Sequence, residues 1–184
     1  MNISMSAKRA LALSVGLLAL PLTVLSATPA HATTGVSLAG GGKLIVSASD
    51  VDNDVTVSVD GRFIVVRNSK DNLTANSGCV KLDANTVRCP GEGITNLQIS
   101  TGNGSDRVAN ETALPSKVFL NGSVDIFFGG SARDTVFGDD GTDFIFGNGG
   151  SDILVGGAGN DSANGNDGTD FCSAESETNC EGDA

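Results

Sequence analysis

Across the C-terminal third of the chain an apolar side chain returns at every ninth residue: Val136, Ile145, Leu154, Ala163 and Cys172. Two places before each stands an aspartate, and Asp125, Asp134, Asp143, Asp152, Asp161 and Asp170 keep the same step. Each unit opens with glycine (Gly129, Gly138, Gly147, Gly156, Gly165), and all but the first carry another glycine at the fourth place. Three residues with one inward apolar centre make a short strand, because side chains alternate along it. The six Gly- and Asp-rich residues between strands make a tight turn, where glycine supplies the positive φ that other residues resist. Two units then close one coil of a solenoid whose stacked coils bury a thin core. The predicted fold class is all-β, a β-solenoid over residues 121–173 with a cap at 174–184.

Residues 33–120 carry a β pattern of a less regular kind. Val55-Thr-Val-Ser-Val59 alternates, Asp60-Gly61 is a turn pair, and Arg62-Phe-Ile-Val-Val66 follows, which predicts a hairpin. Lys43–Val46, Ile94–Ile99 and Val118–Leu120 are further strand candidates. Thr101-Gly-Asn-Gly-Ser-Asp106 reads as an isolated turn of the same type, but Asp106 lies 19 residues before Asp125, so an insertion breaks the phase. Asp50-Val-Asp-Asn-Asp54 begins like an EF-hand loop, yet Val55 and Gly61 stand where that loop needs Gly and Glu, and it reads as the flank of a strand. No Pro- or Ser-rich linker divides this segment from the repeats, so it is expected to continue and cap the solenoid.

Charge sharpens the picture. The 184 residues carry a formal net charge of −11. Residues 33–120 hold eight basic and nine acidic side chains, whereas 121–184 hold thirteen acidic ones and only Arg133 as a base, a net of −12. So acidic a chain lacks the Lys and Arg excess that phosphate binding requires, which excludes nucleic acid as a partner. Aspartates two units apart fall 18 residues apart on the same edge and would repel one another. A hard cation between stacked turns removes that repulsion, and an all-oxygen donor set suits Ca2+ better than the tighter octahedron of Mg2+. The expected pairs are Asp134 with Asp152, Asp143 with Asp161, Asp152 with Asp170, and Asp125 with Asp143.

The first 32 residues read as an export signal: Lys8-Arg9, an apolar run from Ala10 to Leu20 broken by Pro21, and Ala30-His31-Ala32 as a cleavage site. Cleavage after Ala32 predicts a secreted, extracellular protein with no membrane span. The only histidine, His31, leaves with the signal, and neither Tyr nor Trp occurs anywhere. Histidine-based acid–base and nucleophilic catalysis then become impossible. Residues 33–120 also contain neither an HExxH nor a G-x-S-x-G motif. The chain is therefore expected not to be an enzyme. Four cysteines in an exported chain read as two disulfides, for which three connectivities can be drawn. Cys79–Cys89 and Cys172–Cys180 are preferred because each closes a short loop within one segment. The second would fold the tail back over the open end of the coils.

The nonapeptide G-G-x-G-x-D-x-U-x, in phase over residues 129–173, resembles the repeat of the RTX or haemolysin-type calcium-binding proteins. The resemblance implies a parallel β-roll whose sixth-place aspartates and turn carbonyls bind Ca2+. Carried over, the metal ligands are Asp134, Asp143, Asp152, Asp161 and Asp170, with Asp125 as a less regular sixth. The departures are Ala132 in the fourth place, Asp139, Asn148 and Asn166 in the second, and the small Ala163 at a core position. The segment before the repeats is loosely similar to the N-terminal parts of exported actinobacterial-type proteins of this kind. The resulting expectation is a secreted protein whose repeats fold around Ca2+. The alternative is a cell-surface or matrix protein with a polysaccharide or surface partner, in which calcium is purely structural.

Overall fold

The computed structural model describes residues 33–181, so the export signal read at 1–32 lies outside the described residues. All regular structure among them is strand, and no helix there is long and apolar enough to cross a membrane. The chain winds as a parallel β-roll in which each coil gives one strand to each of two sheets. The first sheet sets Lys43–Ser47, Asn96–Ser100, Ser116–Phe119, Asp134–Gly141, Ile153–Gly159 and Phe171–Ser173 side by side in parallel. The second does the same with Asp54–Asp60, Arg107–Glu111, Ile126–Phe128, Phe144–Phe146, Ser162–Asn164 and Ser176–Thr178.

The register follows the nine-residue step. Val136 pairs with Leu154 and Leu154 with Cys172, while Phe127 pairs with Ile145 and Ile145 with Ala163. All of these eighth-place side chains are fully buried and belong to one continuous core that reaches back to Val36. The core narrows toward the C-terminus as Phe127 gives way to Ile145 and then to Ala163. Cys180, disulfide-bonded to Cys172, packs against that narrow end together with Ala174. Parallel register also stacks like on like outside: the rings of Phe119 and Phe137 lie 5.4 Å apart and those of Phe128 and Phe146 5.2 Å apart.

The N-terminal residues widen both sheets at the first coil. Thr34–Ala39 pairs antiparallel with Lys43–Ser47, and Leu73–Ala75 adds to its far side. Phe63–Asn68 and Thr86–Pro90 extend the other sheet by antiparallel pairing, and Cys79–Cys89 ties this edge together. The hairpin turn differs by one place from the sequence expectation. Asp60 pairs with Phe63, so the two loop residues are Gly61 and Arg62, with Gly61 at φ 59°. A glycine at the first loop position satisfies the left-handed geometry that matches strand twist.

Beyond the hairpin, the extra residue before Asp125 sits in the turn leading to Ser116. Asp106 to Ser116 spans ten residues, against nine in each later turn. The turn absorbs it, and both strands keep their place. Truncating Leu154 to Ala removes buried volume from the thin core and is expected to cost about 2–5 kcal/mol. Truncating the exposed Val124 should change stability by less than about 0.5 kcal/mol. Denaturant unfolding with calcium present measures both.

Candidate metal centre

The turns stack along two edges of the roll, and each sixth-place aspartate is buried at the foot of its turn, at most 2% exposed. Its backbone N–H donates to Oδ1 of the aspartate one coil later. On one edge Asp106 bonds Asp125 (2.8 Å), Asp125 bonds Asp143 (3.0 Å) and Asp143 bonds Asp161 (2.9 Å). On the other, Asp134 bonds Asp152 and Asp152 bonds Asp170, both at 2.8 Å. The second oxygen is left bare: Oδ2 of Asp106, Asp125, Asp143, Asp152, Asp161 and Asp170 is buried without a hydrogen-bond partner among the described residues. A buried polar atom without a partner is costly, and a bare carboxylate oxygen more so.

Burial dominates the electrostatics. Desolvation pushes the Asp125 and Asp152 carboxyls up to about 7, and those of Asp106 and Asp143 up to about 6. The charges of neighbouring aspartates add to this at Asp125, Asp143 and Asp152, as smaller contributions than burial. Mutual repulsion, expected from the sequence to be the main problem, is therefore second to loss of hydration.

The first-place glycines are needed for a reason other than the one the sequence suggested. Gly138 and Gly147 do not lie in the left-handed region. Instead, the space a Cβ would occupy at Gly138 is bounded by Asp143 Oδ2 and the Gly156 carbonyl, and at Gly147 by Asp152 Oδ2 and the Gly165 carbonyl. Each glycine thus leaves, in place of a side chain, a gap lined by a carboxylate oxygen of its own turn and a carbonyl oxygen of the next coil. Positive φ falls on the fourth-place glycines, as at Gly150 (139°), and at the second place, where Asp139 (70°), Asn148 (65°) and Asn166 (63°) stand in for glycine. Asn and Asp tolerate that region better than other side chains, which accounts for these departures from the motif.

Two positions differ from the regular pattern. Asp134 has no bare oxygen: Oδ1 accepts from Ser116 N–H (3.0 Å) and Ser116 Oγ (2.6 Å), and Oδ2 accepts from Gly130 N–H (2.9 Å). Ala132 replaces the fourth glycine in this turn, which contains no left-handed residue and so brings the Gly130 N–H onto the carboxylate. Of the six aspartates expected as ligands, Asp134 alone is saturated by the protein. Asp106, by contrast, was set aside for its broken phase but stands in the ladder with a bare Oδ2. Beside Asp106 and Asp125 the first place is not glycine. Thr101 donates its hydroxyl to the Leu120 carbonyl (3.0 Å), and Leu120 is buried in the core. A glycine gap stands next to the bare oxygens of Asp143, Asp152, Asp161 and Asp170; a backbone carbonyl oxygen also lines those of Asp143, Asp152 and Asp170, whereas beside Gly156 the nearest atoms all belong to Asp161.

The ladder ends on residues that a nine-residue count does not find. Asn53 closes the N-terminal end: its N–H and Nδ2 donate to Asp106 Oδ1, and Nδ2 also faces the carbonyls of Ser49, Val51 and Thr101. At the other end Asp161 N–H donates to Glu175 Oε2 (2.8 Å) and Asp170 N–H to Glu181 Oε2 (2.7 Å). That backbone bond holds the Glu175 carboxyl below the usual range. Only 14 and 11 residues separate these partners, so no 18-residue spacing marks them.

Among the described residues no three His, Cys, Asp or Glu side chains gather around one point. The donors are carboxylate oxygens, joined by backbone carbonyl oxygens at the gaps of Asp143, Asp152 and Asp170, with no nitrogen or sulfur among the nearest atoms. That chemistry fits a hard, oxygen-seeking cation with flexible coordination, as Ca2+ is. A family model described as RTX calcium-binding nonapeptide repeat (4 copies) matches residues 121–154 and again 146–178. No curated protein and no solved structure matches the chain.

Raised carboxyl values carry a definite sign. The folded state holds these protons more tightly than the unfolded chain, where Asp titrates near 3.8. Stability from the protonated groups is fully present below that value and is lost as pH rises through 6 to 7. In a chelator, thermal melting midpoints are expected to fall between pH about 5 and about 8, and added Ca2+ should flatten or invert the trend by competing with the protons. A chelated protein that melts higher at the alkaline end would contradict the assignment.

Proposed function

Residues 121–178 are RTX-type calcium-binding repeats, and from that premise we propose a secreted, non-enzymatic protein whose coils fold around Ca2+ at its turn edges. The observation that carries the reading is the row of buried, unpartnered Oδ2 atoms facing oxygen-lined gaps. Asp143, Asp152, Asp161 and Asp170 are the principal ligands, with carbonyls of the adjoining turns. Asp125 is a lesser one, because Leu120 stands in place of its glycine. Asp134 serves as a hydrogen-bonded brace and binds no cation. Export is supported by the two disulfides, which form and persist in oxidising compartments, and by the signal-like N-terminal sequence.

The mechanism is coupled binding and folding. A cation that binds only the folded turns stabilises them by mass action, about 2.7 kcal/mol per independent site at a hundredfold excess over Kd. Extracellular modules commonly bind Ca2+ at about 10⁻⁴–10⁻³ M, a range in which such turns would be filled outside a cell and empty inside. The chain's own residues supply the rest. Glycines hold the gaps open, the Asp N–H to Oδ1 bonds fix the carboxylates, and the core aligns the coils.

Calorimetric titration with Ca2+ should show binding of several ions. Chelation should lower the β signal in circular dichroism and expose amides of residues 138–178 to hydrogen exchange. Asp152→Asn is expected to reduce the number of ions bound, whereas Asp134→Asn should lower stability and leave that number unchanged. Absence of Ca2+ binding by the wild-type chain would overturn the reading.

A further inference from the structure

Among the described residues the second edge has no further full coil after Asp170, yet the structure continues its oxygen pattern. Asp170 N–H donates to Glu181 Oε2 at 2.7 Å, the same bond that Asp152 N–H makes to Asp170 Oδ1 at 2.8 Å. In return Glu181 N–H donates to the Asp170 carbonyl at 2.9 Å. Gly165 N–H donates to the Thr178 carbonyl, as Gly147 N–H does to that of Asn164 one coil earlier. Asn179, left-handed at φ 51°, then turns its carbonyl toward the gap beside Gly165, where it meets Asp170 Oδ2. In the regular coils that place belongs to a glycine carbonyl: Gly165 beside Gly147, and Gly156 beside Gly138. Asp170 Oδ2 is buried and has no partner among the described residues.

We propose that Asp170 Oδ2, the Asn179 carbonyl and the Glu181 carboxylate form a terminal divalent-cation site, with Glu181 as a ligand outside the nine-residue phase. The proposal rests on the calcium reading above and adds to it residues beyond 178, where the family match ends. Two residues of tail here replace the five-residue separation between glycine carbonyl and aspartate in a regular turn. The longer glutamate side chain reaches back over that shorter path. The neighbouring Cys180, bonded to the buried Cys172, anchors the tail so that Glu181 stays against Asp170. Two carboxylates and a carbonyl oxygen, with one carboxylate open to solvent, are a donor set for Ca2+ with water completing the shell.

Glu181→Gln separates ligation from capping, because the amide oxygen still accepts the Asp170 N–H while the charge is gone. Glu177→Gln serves as the control, since the Glu177 carboxylate accepts from the Ala174 N–H and lies off the ladder. Titration of Ca2+ into the full chain should show one site weakened about tenfold or more in Glu181→Gln, as ligand charge sets affinity. The control should match wild type, and all three proteins should melt alike in chelator. Wild-type ion number and affinity in Glu181→Gln would overturn the terminal site while leaving the calcium reading intact. A lower melting point of Glu181→Gln in chelator with unchanged binding would also overturn it, by showing a structural cap alone. A wild-type chain that binds no Ca2+ would overturn both.

Discussion

The backbone N–H of one aspartate and the carboxylate of the aspartate a coil later hold the turn edges in register, and this bond occupies only one carboxylate oxygen. The other is buried without a partner, and that burial pushes the carboxyls of Asp106 and Asp143 up to about 6 and those of Asp125 and Asp152 up to about 7. An ionised carboxylate in that position costs several kcal/mol unless a positive charge meets it. The fold thus leaves a fixed row of half-satisfied anions that a proton can neutralise in acid and a hard cation at neutral pH.

Other features of the roll serve this arrangement or relieve it. First-place glycines make room for the bare oxygen, and Asn or Asp at the second place takes the left-handed turn without losing the gap. Where the turn changes, as at Gly129–Arg133, a backbone N–H reaches the second carboxylate oxygen and Asp134 is saturated by the protein. At the first coil the Asn53 amide faces three carbonyls and a carboxylate, a neutral donor that ends the ladder. The architecture therefore changes along the chain, from widened sheets at the N-terminus to thin, oxygen-rich coils at the other end, each end tied by a disulfide.

The legible part of this protein was the part built on a strict period. Val136, Ile145, Leu154, Ala163 and Cys172 are buried as their spacing requires, and both local cysteine pairs form. The period misled where a turn could stretch. Asp106 is one residue out of phase, yet the extra residue lodges in a turn beside Ser116 and leaves the strand register intact. The period was also silent on which carboxylates are free. Asp134 matches the motif at its own place and is nevertheless saturated, because the Gly130 N–H reaches it. Glu175 and Glu181 match no repeat, and only the fold of the tail brings them under Asp161 and Asp170.

What the sequence determined by itself was the coil: nine residues per turn, one inward side chain, one acidic foot, and a charge that calls for a cation. Those follow from local geometry, since alternation along a short strand and the demands of a tight turn act within a few residues. What the tertiary structure decided was the state of each carboxylate oxygen. Apart from the Gly130 N–H on Asp134, four residues away, the partners lie 11 to 53 residues distant in the chain, brought within hydrogen-bonding reach by the stacking of coils. A periodic pattern can place an aspartate on an edge. Whether its second oxygen meets an N–H or an open gap is settled only by its neighbours in space.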